Sequence, residues 1–288
     1  MWTLALQQVC NGLVVGSMYA LMSIGMMLIL GIMSVINMAH GEFYMLGGMV
    51  CYVLVSKLGV NYFLALPLTT LLVGLIGVLA QEITVRPLSR RPWFASFLTT
   101  FGLSMIVRDV AQMTWGVDPQ ELESPLAHRR VVLGSVYLTQ QRVFILLSGI
   151  VLIGLLYLFI KKHKMGMAMR AMVRDRDAAA MMGINTVAVN RLTFALGTGT
   201  AAYAGALLGA IFNVYPSMGE LPLVKGFAVV IMGGMGNVQG ILFSGLILGV
   251  VESLAASFIS LGYSDAIAFA ILIVVLLFRP QGLFGKKV

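Results

Sequence analysis

The chain has 288 residues, of which 59% are apolar and only 10% charged, an apolar excess that a soluble globular domain of this size does not need. Its 19 Lys and Arg outnumber 11 Asp and Glu, but they stand mainly between apolar segments, which argues against a nucleic-acid-binding face. The composition predicts an all-α polytopic membrane protein, with residues 1–288 forming a single transmembrane domain.

The apolar segments predict eight or nine transmembrane helices. They cover 4–30, 43–58, 62–82, 93–114, 142–160, 191–213, 222–233, 239–259 and 263–278. The first segment is longer than the apolar core of a signal peptide, so we expect it to be retained as a helix. Cys10 and Cys51 lie in apolar sequence without metal-ligand spacing, which is typical of small buried side chains.

The basic residues predict how the chain is oriented in the membrane. Thirteen of the 19 Lys and Arg fall in three stretches, 86–91, 161–191 and 279–287. Lys and Arg collect on the cytoplasmic side of membrane proteins, so these stretches should be cytoplasmic. An odd number of spans then places the N-terminus outside and the C-terminus in the cytoplasm. The longest external connection is about 115–141.

Two polar interruptions between apolar segments lack Lys and Arg. The segments beside them, 43–58 and 222–233, are short, as expected where a helix breaks inside the protein. In transporters such breaks commonly lie near the substrate path, because freed backbone groups coordinate the solute. The alternative is that the glycines only permit close helix crossing and that His40 and Glu42 cap a helix end. The path candidates are Asn37, His40, Glu42, Gly233, Gly234, Gly236 and Asn237.

Four ionisable residues fall inside apolar segments, where each costs about 2.5 to 3.5 kcal/mol on insertion scales. They are Glu82, Arg108, Asp109 and Glu252. Arg108 and Asp109 are adjacent, so on a helix they point roughly 100° apart and do not bridge directly. We expect Arg108 and Asp109 to bond with other helices or to reach the external interface.

The sequence carries no motif for catalysis. It lacks the phosphate loop Gly-x-x-x-x-Gly-Lys-Ser/Thr, the zinc motif His-Glu-x-x-His and the Gly-x-Ser-x-Gly elbow. His40, His128 and His163 are too few and too far apart in sequence to form a metal site alone. A transport subunit is therefore favoured over an intramembrane enzyme. An ion-coupled carrier using Glu42, Asp109 and Glu252 stays open as an alternative.

The cytoplasmic segment, about 161–190, has a docking pattern. Within it, 165–185 predicts a short amphipathic helix with Asp175 near its start and a stop at Gly183. Ala178-Ala179 followed by Gly183 resembles the Glu-Ala-Ala-x-x-x-Gly coupling loop of ABC importer permeases, with Asp in place of Glu. The resemblance implies a contact with an ATPase through Asp177, Ala178, Ala179, Gly183, Ile184 and Asn185.

Further segments resemble the LivH-like permeases of bacterial branched-chain amino acid ABC importers, and the similarity runs from end to end. They are Ile36–Glu42, Arg86-Pro87-Leu88, Met232–Asn237 and Phe278–Gly285, which includes Pro280. The family implies an inner-membrane permease that forms the translocation path for branched-chain or related amino acids. Urea, amides and small organic acids remain alternative solutes for this type of permease.

The same resemblance implies the partners. They are a second, related but non-identical permease, two ATPase subunits and a periplasmic substrate-binding protein, all assembled in or on the lipid bilayer. ATP and Mg would be bound by the ATPase subunits, so no cofactor is expected in this chain. ATP-driven closure of the ATPases would reach the path through the cytoplasmic segment.

Overall fold

The computed structural model describes residues 1–88, 91–127, 129–133, 136–279 and 281–285. The predictions that involve Arg90, His128, Pro280, Lys286 and Lys287 fall outside these residues. The helices are α1 Trp2–Met33, α2 His40–Tyr52, α3 Tyr62–Ala80, α4 Trp93–Trp115, α5 Gln140–Lys162, α6 Lys164–Arg174, α7 Arg176–Met181, α8 Thr186–Phe212, α9 Glu220–Gly233, α10 Val238–Phe258 and α11 Ser264–Phe278.

Each of the nine predicted apolar segments lies on a helix, so the polytopic helical class is confirmed. Within the described residues, six helices are long and apolar enough to cross a membrane: α1, α3 with its continuation to Leu88, α4, α5, α8 and α10. The α9 helix has 14 residues, about 20 Å, and α2 has 13 residues and continues as a π-helical turn through Val53–Lys57, about 27 Å in all; both are shorter than a bilayer core of about 30 Å. Hydropathy alone predicts both as transmembrane spans. We call them half-helices, because each is shorter than the bilayer that a span has to cross.

The predicted external connection holds a small β-hairpin. Strands β1 Arg130–Leu133 and β2 Val136–Thr139 pair antiparallel between α4 and α5. The hairpin is fastened to the start of α1, since the Gln7 side chain donates to the Tyr137 carbonyl at 2.8 Å and accepts from its amide at 2.9 Å. We call this end of the bundle the hairpin end.

The opposite end of the bundle carries the predicted cytoplasmic segment. Here a cavity of about 730 Å³ separates the end of α1 at Met33 from the start of α4 at Trp93 and from α6 at Met172. The start of α8 also lines it, at Asn190. We call this the coupling end. The α1, α3 and α5 helices run from the hairpin end to the coupling end, and α4, α8 and α10 run the opposite way.

Two central helices, α1 and α8, hold the bundle together. The α1 helix packs on α8, α9 and α10, and α8 packs on α1, α2 and α3. Glycines allow the closest approaches: a Cβ added at Gly47 would overlap the Ala202 backbone, and one at Gly205 would overlap the Tyr44 carbonyl. Small residues let membrane helices approach to backbone contact, where dispersion replaces the hydrophobic effect as the attraction.

The two halves of the chain repeat one arrangement in opposite directions. In the first half, α1 is followed by a non-helical segment, 34–39, and by the short helix α2; in the second, α8 is followed by 213–219 and by α9. The short helix of each half packs on the central helix of the other half, α2 on α8 and α9 on α1. The α2 helix runs toward the hairpin end, where Tyr52 hydrogen-bonds Gln120. Because α9 follows α8 back, it runs toward the coupling end.

Candidate functional site

The first non-helical segment, 34–39, turns the chain back into the bundle. Ser34 ends α1 in a left-handed conformation (φ 55°), and its amide donates to the Leu30 carbonyl at 2.9 Å. The Asn37 side chain then accepts the amide of Ala39 at 3.1 Å. Thr100 of α4 holds the segment from the side, because its hydroxyl accepts the Met38 amide at 3.2 Å. These bonds set where α2 begins.

The α2 helix begins about halfway through the bundle. His40 is fully buried, and its Nε2 lies 3.2 Å from the Met22 carbonyl of α1. A carbonyl only accepts, so Nε2 carries the proton. Met22 lies about three turns, or roughly 16 Å, before the end of α1 at Met33. His40 and Glu42 therefore sit in the first turn of a half-helix that starts deep inside the protein.

The α9 helix begins at the same depth as α2. A Cβ added at Gly41 would meet the Gly219 carbonyl, and one at Gly219 would meet the Gly41 carbonyl, so the two backbones touch. Asn213 starts the segment leading to α9 in a left-handed conformation (φ 63°). Val214 is bridged to Gln120 of the hairpin-end loop by two backbone hydrogen bonds of 2.8 and 2.9 Å. The chain then descends to Glu220, the first residue of α9.

A cluster of three charged side chains, Glu42, Arg108 and Glu220, joins the two half-helix starts. Arg108 Nη2 donates to Glu42 Oε1 at 2.8 Å, and Nη1 forms an ion pair with Glu220. Both carboxylates occupy the first turn of a helix, where the helix dipole stabilises negative charge. One guanidinium on α4 thus ties the half-helices of the two repeats together.

The charged cluster lies at the edge of an open face of the chain. The Glu42 side chain is 4% exposed, that of Arg108 29% and that of Glu220 52%. Asp109, next to Arg108 on α4, is exposed as well. Around them stand exposed apolar side chains of α4 and α9: Met105, Ile106, Val110, Leu221 and Val224. The surface of the bundle therefore carries charged groups at mid-depth, where lipid would not solvate them.

A family model described as branched-chain amino acid transport system / permease component matches residues 8–276. This chain belongs to that permease family. It is 34% identical to the high-affinity branched-chain amino acid transport system permease protein LivH of Salmonella typhimurium, over 98% of this chain and 96% of the relative. It is 24% identical to permease protein LivM of the same organism, over 92% of this chain and 67% of the relative.

A solved structure described as PsaBC from Streptococcus pneumoniae in complex with Fab has a similar fold. The match has a TM-score of 0.51 and covers 94% of this chain and 91% of that chain, at 14% identity. At such an identity the likeness shows the fold alone. Family and fold together make this permease a multi-pass, all-helical membrane protein.

The structure does not bring the second predicted interruption to the half-helix junction. Gly234 and Gly236 form the turn between α9 and α10, both with φ of +84°. The C-terminal tail covers this turn, since the Leu283 amide donates to the Met232 carbonyl at 2.7 Å and Asn237 donates to the Phe284 carbonyl at 3.0 Å. In this permease the second interruption is thus a turn covered by the tail, formed by Gly233, Gly234, Gly236 and Asn237. The first interruption lies at the junction of the half-helices, with Asn37, His40 and Glu42.

The predicted coupling helix is two helices. Asp175 adopts an extended conformation (φ −158°) between α6 and α7, and its carboxylate accepts the amides of Asp177 at 3.0 Å and Ala178 at 2.9 Å. A helix whose first amides are capped in this way begins again after the break. Asp177 and Ala178 lie in the first turn of α7, and Ala179 is buried beneath it. The single-helix prediction missed the extended residue at the cap.

The end of α7 at Gly183 is a Schellman motif. The Ile184 amide donates to the Ala179 carbonyl at 3.1 Å, and the Gly183 amide to the Ala180 carbonyl at 3.0 Å. Gly183 itself has a φ of +82°, the left-handed conformation that this cap requires. Asn185 then caps α8 by accepting the Ala188 amide at 3.0 Å. The stop predicted at Gly183 is therefore present.

Arg108 pairs with other helices, as expected, and so do two more of the ionisable residues inside apolar segments. Besides Arg108, Glu82 pairs with Arg191 at 2.6 Å, and Glu252 pairs with Lys225 at 2.6 Å. Lys225 is almost fully buried and also contacts Asp265 at 2.8 Å, so α9, α10 and α11 share one cation. Among the described residues, no group of three His, Cys, Asp or Glu could hold a metal ion.

Sequence reasoning missed Glu220 and the 213–219 segment. A signal was present: the dipeptide Gly-Glu stands at 41–42 and again at 219–220, each time at the start of a short apolar stretch. The glycine-rich stretch 233–240 gives the stronger signal of an interruption, because glycines break helices most visibly. Only the packing of α2 against α9 shows that 213–219, and not 233–240, is the segment that meets the first interruption.

Proposed function

We propose that this permease is the membrane-spanning subunit of an ATP-driven importer of branched-chain amino acids. Its LivH relative bears that transport system in its name and aligns with nearly the whole chain. The observation that carries the proposal is the meeting of α2 and α9 at mid-depth, next to a charged cluster on an open face. Half-helix starts inside a membrane are suited to binding a polar solute.

In this proposal a second permease covers the open face of α4 and α9, and the solute passes between the two permease subunits. The exposed charges of Glu220 and Asp109 support this, because side chains at this depth face protein or water in preference to lipid. LivH and LivM of Salmonella typhimurium are both named as permease proteins of a branched-chain amino acid transport system, and both are similar to this chain. We therefore expect a related, non-identical partner.

ATPase subunits dock on α6 and α7 at the coupling end. Met181 and Met182 are 82% and 83% exposed there, and large exposed apolar side chains at such a site suit a protein interface. Each of the two ATPases binds ATP and Mg, so the permease itself is non-catalytic and holds no cofactor. A contact through Asp177, Ala178, Gly183, Ile184 and Asn185 would transmit ATPase closure to α8, while the buried Ala179 anchors α7.

The orientation follows from these contacts. With α6 and α7 in the cytoplasm, the hairpin end and the N-terminus lie outside, and the binding protein delivers the solute there. The tail packed against the α9–α10 turn then lies toward the cytoplasm, because α10 runs antiparallel to α1, with Gly249 against Gly12 and Gly245 against Gly16. The membrane is the bacterial inner membrane.

The test is transport by the reconstituted complex. The permease would be purified with its co-expressed partner permease, ATPases and binding protein, and uptake of labelled leucine into proteoliposomes measured with and without ATP and with each partner omitted. Leucine uptake that requires ATP and every partner supports the proposal. ATP-dependent uptake of urea, an amide or an organic acid in place of leucine would keep the importer and change its proposed solute to that compound. Uptake by this chain alone, driven by an ion gradient, would overturn the importer.

A further inference from the structure

The charged cluster contains two acids for one base. Two carboxylates share one guanidinium, so the cluster carries a net negative charge when both are ionised, as expected at two helix N-termini. An ion pair that only pinned α4 to one half-helix would need a single acid. Here Arg108 reaches Glu42 of the first repeat and Glu220 of the second across the point where their backbones touch.

The cluster also has unused hydrogen-bonding atoms. The side chain of Glu42 is buried, yet its Oε2 has no hydrogen-bond partner among the described residues, and neither has Arg108 Nε. Buried polar atoms are nearly always satisfied, so two unpaired atoms of opposite sign at one place indicate a missing polar group. Glu220, on the open side, leaves half of its side chain accessible.

We propose that this cluster binds the charged head of a zwitterionic α-amino acid on its way through the importer. The α-carboxylate contacts Arg108, whose guanidinium offers a planar edge of donors, and the α-ammonium contacts Glu220 and the free oxygen of Glu42. The inference rests on the proposed function and adds the residues that select the solute inside the permease. Exposed Leu221 and Val224 lie beside the cluster and suit an aliphatic side chain.

The arrangement discriminates against the other solutes considered for this family. Urea and amides carry neither charge, and a small organic acid carries only the negative one. Each would displace part of the Arg108 bridge without replacing the interactions of the remaining groups. A site built to bond two charged groups rejects a ligand that lacks one, because its own buried polar atoms are then left unpaired.

The experiment reports water access and solute protection at one position beside the cluster. Val224 is half-exposed and one helical turn from Glu220, so a cysteine there leaves the three charges in place. The native Cys10 and Cys51 would first be replaced by serine and alanine. Leu75, equally exposed on the wholly apolar outer face of α3, gives the matched control, Leu75→Cys.

The Val224→Cys and Leu75→Cys permeases would be assembled with the partner permease and ATPases and treated with a charged, membrane-impermeant methanethiosulfonate. We expect labelling of the first only, slowed by leucine but not by leucinamide or 4-methylpentanoate, which lack one charge each. Slowing should be about tenfold when leucine is at roughly ten times its dissociation constant, since the free fraction falls as 1/(1 + [L]/Kd). Adding Arg108→Gln should abolish the protection.

Three results would overturn the inference. Labelling of Val224→Cys as slow as that of Leu75→Cys would mean that the face is not open to water. Equal protection by all three solutes, or by none, would mean that the cluster does not recognise a zwitterion. Protection that persists with Arg108→Gln would leave the cluster with only the structural role of holding α4 to the two half-helices. If unmodified complexes still import leucine with ATP, such a result removes the inference and leaves the proposed function standing.

Discussion

Replacing Gly183 by valine should uncouple ATP hydrolysis from solute uptake without unfolding the permease. Gly183 has a φ of +82°, and a Cβ placed there would meet nothing within 4 Å. The substitution therefore acts through backbone strain alone. The strained residue sits in the Schellman motif that ends α7, where the Ile184 amide bonds the Ala179 carbonyl. Its loss would change the angle between α7 and α8, and with it the surface offered to the ATPase.

The size of the effect follows from the cost of the left-handed conformation. For a residue with a Cβ this conformation costs about 1–2 kcal/mol, which lowers the equilibrium ratio of the native to the non-native turn by a factor of about 5 to 30. Asparagine tolerates the conformation better than other side chains and is the matched control. We expect Gly183→Asn to retain most coupling and Gly183→Val to lose most of it.

The assay compares leucine uptake with ATP hydrolysis in the same proteoliposomes. For Gly183→Val the ratio of leucine imported to ATP hydrolysed should fall, by at most that factor, while the amount of assembled complex stays unchanged. Equal ratios for the valine and asparagine variants would refute the reasoning, since the two differ mainly in how they tolerate a positive φ. A loss of complex with valine alone would instead assign the turn to assembly.

Two further predictions concern packing, measured as the thermal unfolding of the purified permease in detergent. Gly205→Ala should destabilise by about 1–3 kcal/mol, because its Cβ would overlap the α2 backbone. Gly31→Ala, where a Cβ meets nothing within 4 Å, should not, and equal losses would contradict the close α2–α8 contact. Lys225→Met should cost about 3–5 kcal/mol by leaving Glu252 and Asp265 without their cation. Adding Glu252→Gln should restore part of this loss; no restoration would contradict a shared ion pair.

The helices themselves were predictable, because hydropathy is a local property. Every predicted apolar segment became a helix, with ends within a few residues of the expected ones. What the pattern did not distinguish was a half-helix from a span. The 43–58 segment looks like a short span, yet α2 starts at His40, three residues earlier, opposite the middle of α1. The depth of a start depends on the packing of other helices.

The candidate site was predicted only in part for the same reason. Asn37, His40 and Glu42 were identified from polar residues beside a short apolar segment, and they do lie at the junction. The sequence does not single out Glu220, and for Arg108 it predicts pairing without identifying the partners. Their association joins residues far apart in sequence, Arg108 with Glu42 and with Glu220. No periodicity along the chain encodes such a contact.

The sequence by itself determined the membrane environment, the helical class, the positions of the apolar segments and the helix stop at Gly183. These follow from the hydropathy of nearby residues and from the conformations that single residues prefer. Only the tertiary structure decided which two interruptions of the chain lie against each other. The Gly-Glu pairs at 41–42 and 219–220 meet because two inverted repeats pack around α1 and α8, whereas Gly234 and Gly236 are covered by the tail. Such choices depend on shape complementarity between distant helices, which local sequence does not carry.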